Sequence, residues 1–258
     1  MSYIKAKKSL GQHFLTDNNI ACKIVDSLTI EKTSVLLEIG PGTGVLTKIL
    51  TNKYDNLYVI EVDTRMIEHL NETIPELRDK IIHGSIIDYD LKQLKSNSVS
   101  LIGNLPYNIS SQVFFKVLEN KDIVNHTVFM IQKEVAERIA SKEGNKVYGI
   151  LSVLLQAYYK IEYLFTVGES SFAPPPKVKS SVIRLTRNSV NHLNCNEELF
   201  FKVIKTSFNQ RRKMLNNSLK PILHENKINN PIMNKRPEQL TVEQFVYLTN
   251  LVEESIKI

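Results

Sequence analysis

The chain has 258 residues, 42% hydrophobic and 23% charged, with a formal net charge of +6 and a pI near 9.1. That length supports a core without cross-links, and Cys22 and Cys195 have neither a pairing pattern nor metal-ligand spacing, which argues against a disulfide scaffold or a metal site. No run approaches a membrane span and the basic start MSYIKAKKSLGQHF has no apolar signal core, so a cytosolic protein with no membrane partner is expected.

From Ser34 to Arg187, short β-type runs alternate with stretches of helical period. The runs at 34–40, 56–62, 80–84, 99–104 and 126–132 are apolar and rich in β-branched residues, and 180–187 reads as a last strand after the proline corner FAPPPK (172–177). Helical stretches at 45–54, 64–74 and 111–120 separate them. The alternation predicts βαβ units around a mostly parallel sheet, an α/β fold. Beyond the polar linker SVNHLNCN, helical patterns at 197–209, 211–224 and 238–254 follow, and no strand signal remains. The expected division is therefore 1–189 and 190–258, the second part small and all-helical.

LLEIGPGTGVLTKIL (36–50) is a buried strand that runs through a glycine turn into a helix. Gly40, Gly42 and Gly44 let the backbone turn tightly and approach a ligand closely. Glu61, on the end of the next strand, is placed to accept both hydroxyls of a ribose. A dinucleotide site would carry G-x-G-x-x-G and a pyrophosphate; here the sixth position is Val45, and Glu38 stands two residues before the first glycine. A carboxylate there repels a pyrophosphate and suits the cationic amino-acid end and sulfonium of S-adenosylmethionine, which is the favoured cofactor. A glycine turn without a ligand is the plain alternative.

Asn104, Leu105, Pro106 and Tyr107 leave the strand at 99–103, so they should face the same cleft. Pro106 holds Leu105 extended, presenting the Asn104 amide and the Leu105 carbonyl with the Tyr107 ring beside them. Two acceptors and a flat ring suit a planar base carrying an exocyclic amine. Holding the amine's hydrogens orients its nitrogen for direct in-line transfer, with no metal or covalent intermediate. Phe172, beside the rigid proline corner, is the candidate second face of a stacking pair, of the size needed to offset removal of a base from its stack.

Residues 189–258 carry ten Lys/Arg against seven Asp/Glu, a net +3 and the denser positive surface. Arg211, Arg212 and Lys213 are expected to open a helix and, with Lys202 and Lys205, to contact phosphates. The basic segment KAKKS (5–9) is expected to add a mobile arm. His126, His192 and His224 share no spacing and read as incidental.

Taken together, KKSLGQHFL (7–15), LEIGPGTGVLT (37–47), VIEVD (59–63), NLPYNIS (104–110), SFAPPPKVKSSVIRL (171–185) and FNQRRKMLNNSL (208–219) resemble the KsgA-type ribosomal RNA small-subunit adenine N6-dimethyltransferases over nearly the whole chain. The resemblance implies a Rossmann-like class I S-adenosylmethionine-dependent methyltransferase domain followed by a small helical RNA-contacting domain. It also implies that His13 and Leu15 border the cofactor, Gly40 and its neighbours cradle it, Glu61 binds the ribose, and Asn104, Leu105, Tyr107 and Phe172 hold the target adenine. The implied substrate is a pair of adjacent adenosines near the 3′ end of small-subunit ribosomal RNA in the immature small subunit, and a monomer is expected. Two positions depart from the family pattern. His13 stands where asparagine is usual, and Ser85 replaces the acid expected on the cofactor's adenine amine, with Asp88 three residues on as the candidate substitute. Rival readings are a macrolide-resistance-type large-subunit methyltransferase and a non-catalytic RNA-binding assembly factor of the same fold.

Overall fold

The periods read from the sequence become, in a computed structural model that describes residues 4–31 and 34–257, nine strands and ten α-helices among those residues. The chain begins with β1 (Phe14–Leu15), α1 (Asn18–Asp26), β2 (Val35–Ile39), α2 (Thr47–Thr51), β3 (Leu57–Glu61), α3 (Thr64–Thr73) and β4 (Ile81–His83). It continues with β5 (Val99–Asn104), α4 (Ser110–Glu119), β6 (Val124–Gln132), α5 (Lys133–Ala140), α6 (Ile150–Tyr158) and β7 (Tyr159–Val167). Then come β8 (Phe172–Ala173), β9 (Ser180–Arg187), α7 (Glu197–Asn209), α8 (Leu215–Ser218), α9 (Lys220–Leu223) and α10 (Val242–Ile256).

Seven strands form one sheet in the order β4-β3-β2-β5-β6-β9-β7. The run from β4 to β6 is parallel, and β9 pairs antiparallel with β6. Its central strands are buried along almost their whole length, which is why they read as continuous apolar runs rather than as alternating ones. Strand order reverses at β2, which lies between β3 and β5, so a crevice opens beyond the carboxyl ends of β2 and β5. Register sets the ends of the strands level: Glu38 lies opposite Val59 and Ile102, and Asn104 opposite Met130. The expected α/β sheet is therefore present.

Two compact units divide the chain. The first comprises residues up to Ala136 together with Ile161–Arg187; its core joins Ile24 and Val25 of α1, Leu36 of β2, Leu50 of α2 and Leu70 of α3 to Val128 and Met130 of β6. Each such fully buried aliphatic contributes roughly 1.5–3 kcal/mol relative to exposure. The second unit comprises Glu137–Lys160 and the chain from Asn188 onward. The expected division is 1–189 and 190–258; in the structure the second unit takes up the chain from Asn188 and also Glu137–Lys160, which lies inside the first of those ranges. In this second unit Tyr148, Phe208 and Phe245 form a ladder of rings at 6.2 and 5.9 Å, and Phe200, Val203 and Leu248 of the same unit are buried. Asn196 caps α7 through Leu199 N at 3.0 Å, and Thr241 and Gln244 close a reciprocal cap on α10.

The helix expected over 211–224 is not continuous. Arg211–Lys213 lie in a turn after α7, and α8 and α9 are single turns, with Pro221 at the start of α9 supplying no backbone N–H to extend α8. Among the described residues, no helix is long and apolar enough to cross a membrane.

Candidate active site

Beyond the ends of β2, β3 and β5 lies a cleft whose walls come from the glycine turn, the Asn104–Ile109 segment and the N-terminal stretch Ser9–Leu15. Gly40, Gly42 and Gly44 have φ of 64°, 55° and 80°, the left-handed region that a side chain disfavours. A Cβ on Gly40 would meet nothing within 4 Å, so the backbone there faces open space in the cleft. A Cβ on Gly42 would come within 3.0 Å of the Phe14 ring. Gly44, expected as part of the cradle, instead allows close packing: a Cβ there would lie 2.9 Å from Leu70 and 3.1 Å from Ile74, and the residue does not line the cleft.

Glu38, the penultimate residue of β2, lines this cleft and is only 1% exposed. Burial pushes its carboxyl up to about 8, and the Glu61 charge adds to the rise. Proximity of the Thr47 hydroxyl opposes it, but neither Thr47 Oγ1 nor Glu38 Oε2 makes a hydrogen bond of proper geometry. Glu38 is thus a buried acid with an oxygen waiting for a donor. Glu61 is better held. Its Oε1 accepts from Val62 N at 2.8 Å and Asp63 N at 2.9 Å, and its Oε2 from Gly42 N at 3.4 Å. Burial raises its carboxyl, and those three N–H groups counter the rise.

Asp63, which is not among the site residues expected from the sequence, ties the N-terminal wall in place. Its buried carboxylate accepts from Lys7 Nζ at 3.0 Å, Gln12 Nε2 at 3.1 Å and Arg65 Nη2 at 2.6 Å. The Arg65 guanidinium, with Lys7 and Gln12 behind it, holds that carboxyl well below the usual range. The expected mobile basic arm at 5–9 is therefore anchored at Lys7, and Lys5 O also accepts from Arg65 Nη1 at 3.1 Å. An aspartate before a helix is a legible cap signal, and Asp63 does cap α3; Arg65 is two residues away, but Lys7 and Gln12 come from more than fifty residues earlier, and no sequence pattern announces them.

Asn104 ends β5 with its Nδ2 donating to His13 O at 2.9 Å, which turns Oδ1 to the other side. Leu105 N donates to Met130 O at 3.0 Å. The Tyr107 ring stacks on the His13 ring, with centroids 5.6 Å apart and planes inclined by 27°. His13 is fixed in turn through Nδ1 to Pro174 O at 2.8 Å. Phe172, expected as the second stacking face, is not at the cleft: it is 4% exposed, paired with Leu15 across the short β1–β8 ladder, and packed into the core of the first unit. Ser85 lines the cleft and its Oγ accepts from Ile87 N at 3.2 Å, whereas Asp88 is exposed and lies outside the lining. Lys202 and Lys205 project from α7 in the second unit; Arg212 and Lys213 are exposed there, and Arg211 Nη2 donates to Asn145 O at 3.3 Å.

Residues 3–254 match the model of the ribosomal RNA adenine dimethylase family. The chain belongs to that family. Its curated relatives include ribosomal RNA small subunit methyltransferase A of Bacteroides thetaiotaomicron, 54% identical over 100% of this chain and 97% of the relative. The protein of the same name from Flavobacterium johnsoniae is 52% identical over 98% of both chains. A crystal structure of a dimethyladenosine transferase from Plasmodium falciparum superposes with a TM-score of 0.79 at 26% identity, covering 95% of this chain and 98% of that one. The 23S rRNA methyltransferase ErmE shares the fold, with a TM-score of 0.64 at 20% identity over 93% and 99% of the two chains. This ribosomal RNA adenine dimethylase is a class I S-adenosylmethionine-dependent methyltransferase. Its cleft fits that cofactor: the unpartnered Glu38 oxygen suits a cation, the open backbone at Gly40 a close approach, and the held Glu61 carboxylate a pair of hydroxyls.

Proposed function

We propose that the protein dimethylates the N6 amines of two adjacent adenosines near the 3′ end of small-subunit ribosomal RNA, acting as a monomer on the immature small subunit in the cytoplasm. S-adenosylmethionine, when bound, supplies a methyl group on a positively charged sulfur. Glu38 would face the cationic end of that molecule and Glu61 its ribose, with His13, Leu15, Gly40 and Gly42 as the remaining walls. Ser85, whose Oγ already accepts from Ile87 N, has a hydroxyl proton to offer a ring nitrogen.

The observation that carries this reading is the orientation of Asn104. With Nδ2 engaged by the His13 carbonyl, Oδ1 is an acceptor, and the Leu105 carbonyl is the next acceptor along the chain. An adenine amine is a weak nucleophile because its lone pair is delocalised; two acceptors on its hydrogens favour the nitrogen geometry that attacks carbon in line. Tyr107 supplies the platform on which the extruded base rests. Catalysis is then positioning and electrostatics.

Relatives named for the small subunit, alike over their whole length, support the small-subunit substrate over the large-subunit one. The likeness to ErmE is one of fold. The division of labour proposed is a methyltransferase part built on the sheet and a C-terminal part, from about residue 190, that contacts phosphates through Lys202, Lys205, Arg211, Arg212 and Lys213. The test is incubation with methyl-labelled cofactor and under-methylated small subunits, followed by nucleoside digestion. Label in N6,N6-dimethyladenosine, with N6-methyladenosine as its precursor, is expected; label confined to nucleosides other than these two overturns the assignment.

A further inference from the structure

We propose that Ser180 is a positioning residue for the Tyr107 ring, an assignment that rests on the reading of the cleft above. The ring is held at both ends. At the backbone end, Pro106 restricts the chain and Ser110 Oγ donates to Tyr107 O at 2.9 Å. At the far end, the phenol oxygen lies 2.7 Å from Ser180 Oγ. Ser180 is wholly buried and is the first residue of β9, opposite Gln132 of β6, with Lys133 N bonded to Lys179 O at 2.9 Å beside it. The anchor is therefore set by the sheet rather than by a loop.

Two consequences follow. The Tyr107 hydroxyl is engaged on the sheet side, so the tyrosine works through its ring face, not as an acid or base. Swinging of the ring about its own side-chain bonds breaks the bond to Ser180, so the base platform stays where the Asn104 acceptor can meet the amine. The proline-corner stretch SFAPPPKVKSS thus serves the site through Ser180, while its Phe172 serves the core.

The test uses the full chain with under-methylated small subunits, reading kcat and KM separately for Ser180→Ala, Tyr107→Phe and the double variant. Each single change should lower kcat about tenfold and leave the KM for RNA within about twofold, because a small misplacement at the reacting centre costs rate rather than binding. The double variant should lose no more than either single one, since both remove the same bond. Ser180→Thr, which keeps the hydroxyl, should recover most of the loss. Tyr107→Phe removes the bond from its other end, so the loss must appear there even if Ser180→Ala folds poorly. Unchanged kcat in the single variants, or losses that multiply in the double one, overturn the assignment of Ser180 while the wild-type activity stands. A wild-type protein that methylates no small-subunit adenosine overturns the functional reading and this assignment together.

Discussion

Asn104 and His13 are coupled by one hydrogen bond, Nδ2 to the backbone carbonyl at 2.9 Å, across 91 residues of chain. That bond decides which end of the amide the cleft receives. Asn104→Ala removes the acceptor and should lower methyl transfer at least about a hundredfold, within the range seen when one aimed polar group is lost. RNA affinity should stay within about twofold, read by filter binding. Asn104→Asp should be nearly as inactive, because a carboxylate opposite the His13 carbonyl has no proton to donate. Turnover that survives either change removes the amide from the mechanism.

Glu38 makes cofactor binding sensitive to pH. Its carboxyl, pushed up to about 8 by burial, is mostly protonated in the free protein near neutrality and must lose that proton to face a cation. Affinity for S-adenosylmethionine should therefore rise by up to about tenfold per unit between pH 6 and 8 and level off above. The same raised value means that ionisation disfavours the free fold as pH climbs from 4.5 toward 8, so Glu38→Gln should raise the melting temperature of cofactor-free protein at pH 8. The variant should also bind the cofactor weakly and without the pH slope. Calorimetric titration across that range checks both; a flat wild-type profile would contradict the account.

Asp63 draws the N-terminal wall of the cleft onto the loop after β3 through Lys7, Gln12 and Arg65. Asp63→Asn weakens those charge-assisted bonds and should cost about 1–3 kcal/mol of stability. Cofactor affinity should fall several-fold even though Asp63 does not line the cleft. Because the folded-state value lies below the ordinary 3.8, the stabilisation is complete above that pH and is lost as pH falls below it. Denaturant melts of the two proteins at pH 7 and pH 3 should therefore differ at the first and converge toward the second.

Arg211→Ala combined with Arg212→Ala should weaken RNA binding roughly fivefold at low salt and reduce the slope of log affinity against log salt by about one to two. An unchanged slope would mean that the turn after α7 does not contact phosphates. Methyl transfer at saturating RNA should change little.

Legibility in the sequence followed the range of the interactions. The strands β2, β3 and β5 were readable because burial on both faces demands unbroken β-branched runs, and the glycine turn because few residues tolerate positive φ. Strand β7 leaves no mark in the sequence: α6 ends at Tyr158 and β7 begins at Tyr159, within a run that contains no glycine or proline to mark the change. Phe172 reads as a cleft residue because the proline corner is rigid; its burial is set by pairing with Leu15, a contact no local pattern encodes. The same holds for Lys7 and Gln12 on Asp63 and for Tyr107 with Ser180, each joining segments far apart in sequence.

The central claim is that this cleft presents acceptors and a ring to a small-subunit adenine amine. Its most direct test is nucleotide-resolution mapping of label from methyl-labelled S-adenosylmethionine, with under-methylated small subunits in one reaction and naked large-subunit RNA in another. The account predicts two adjacent dimethylated adenosines near the 3′ end of the small-subunit RNA and no label in the large-subunit RNA. Label confined to the large-subunit RNA, or spread over unrelated adenosines, would contradict it.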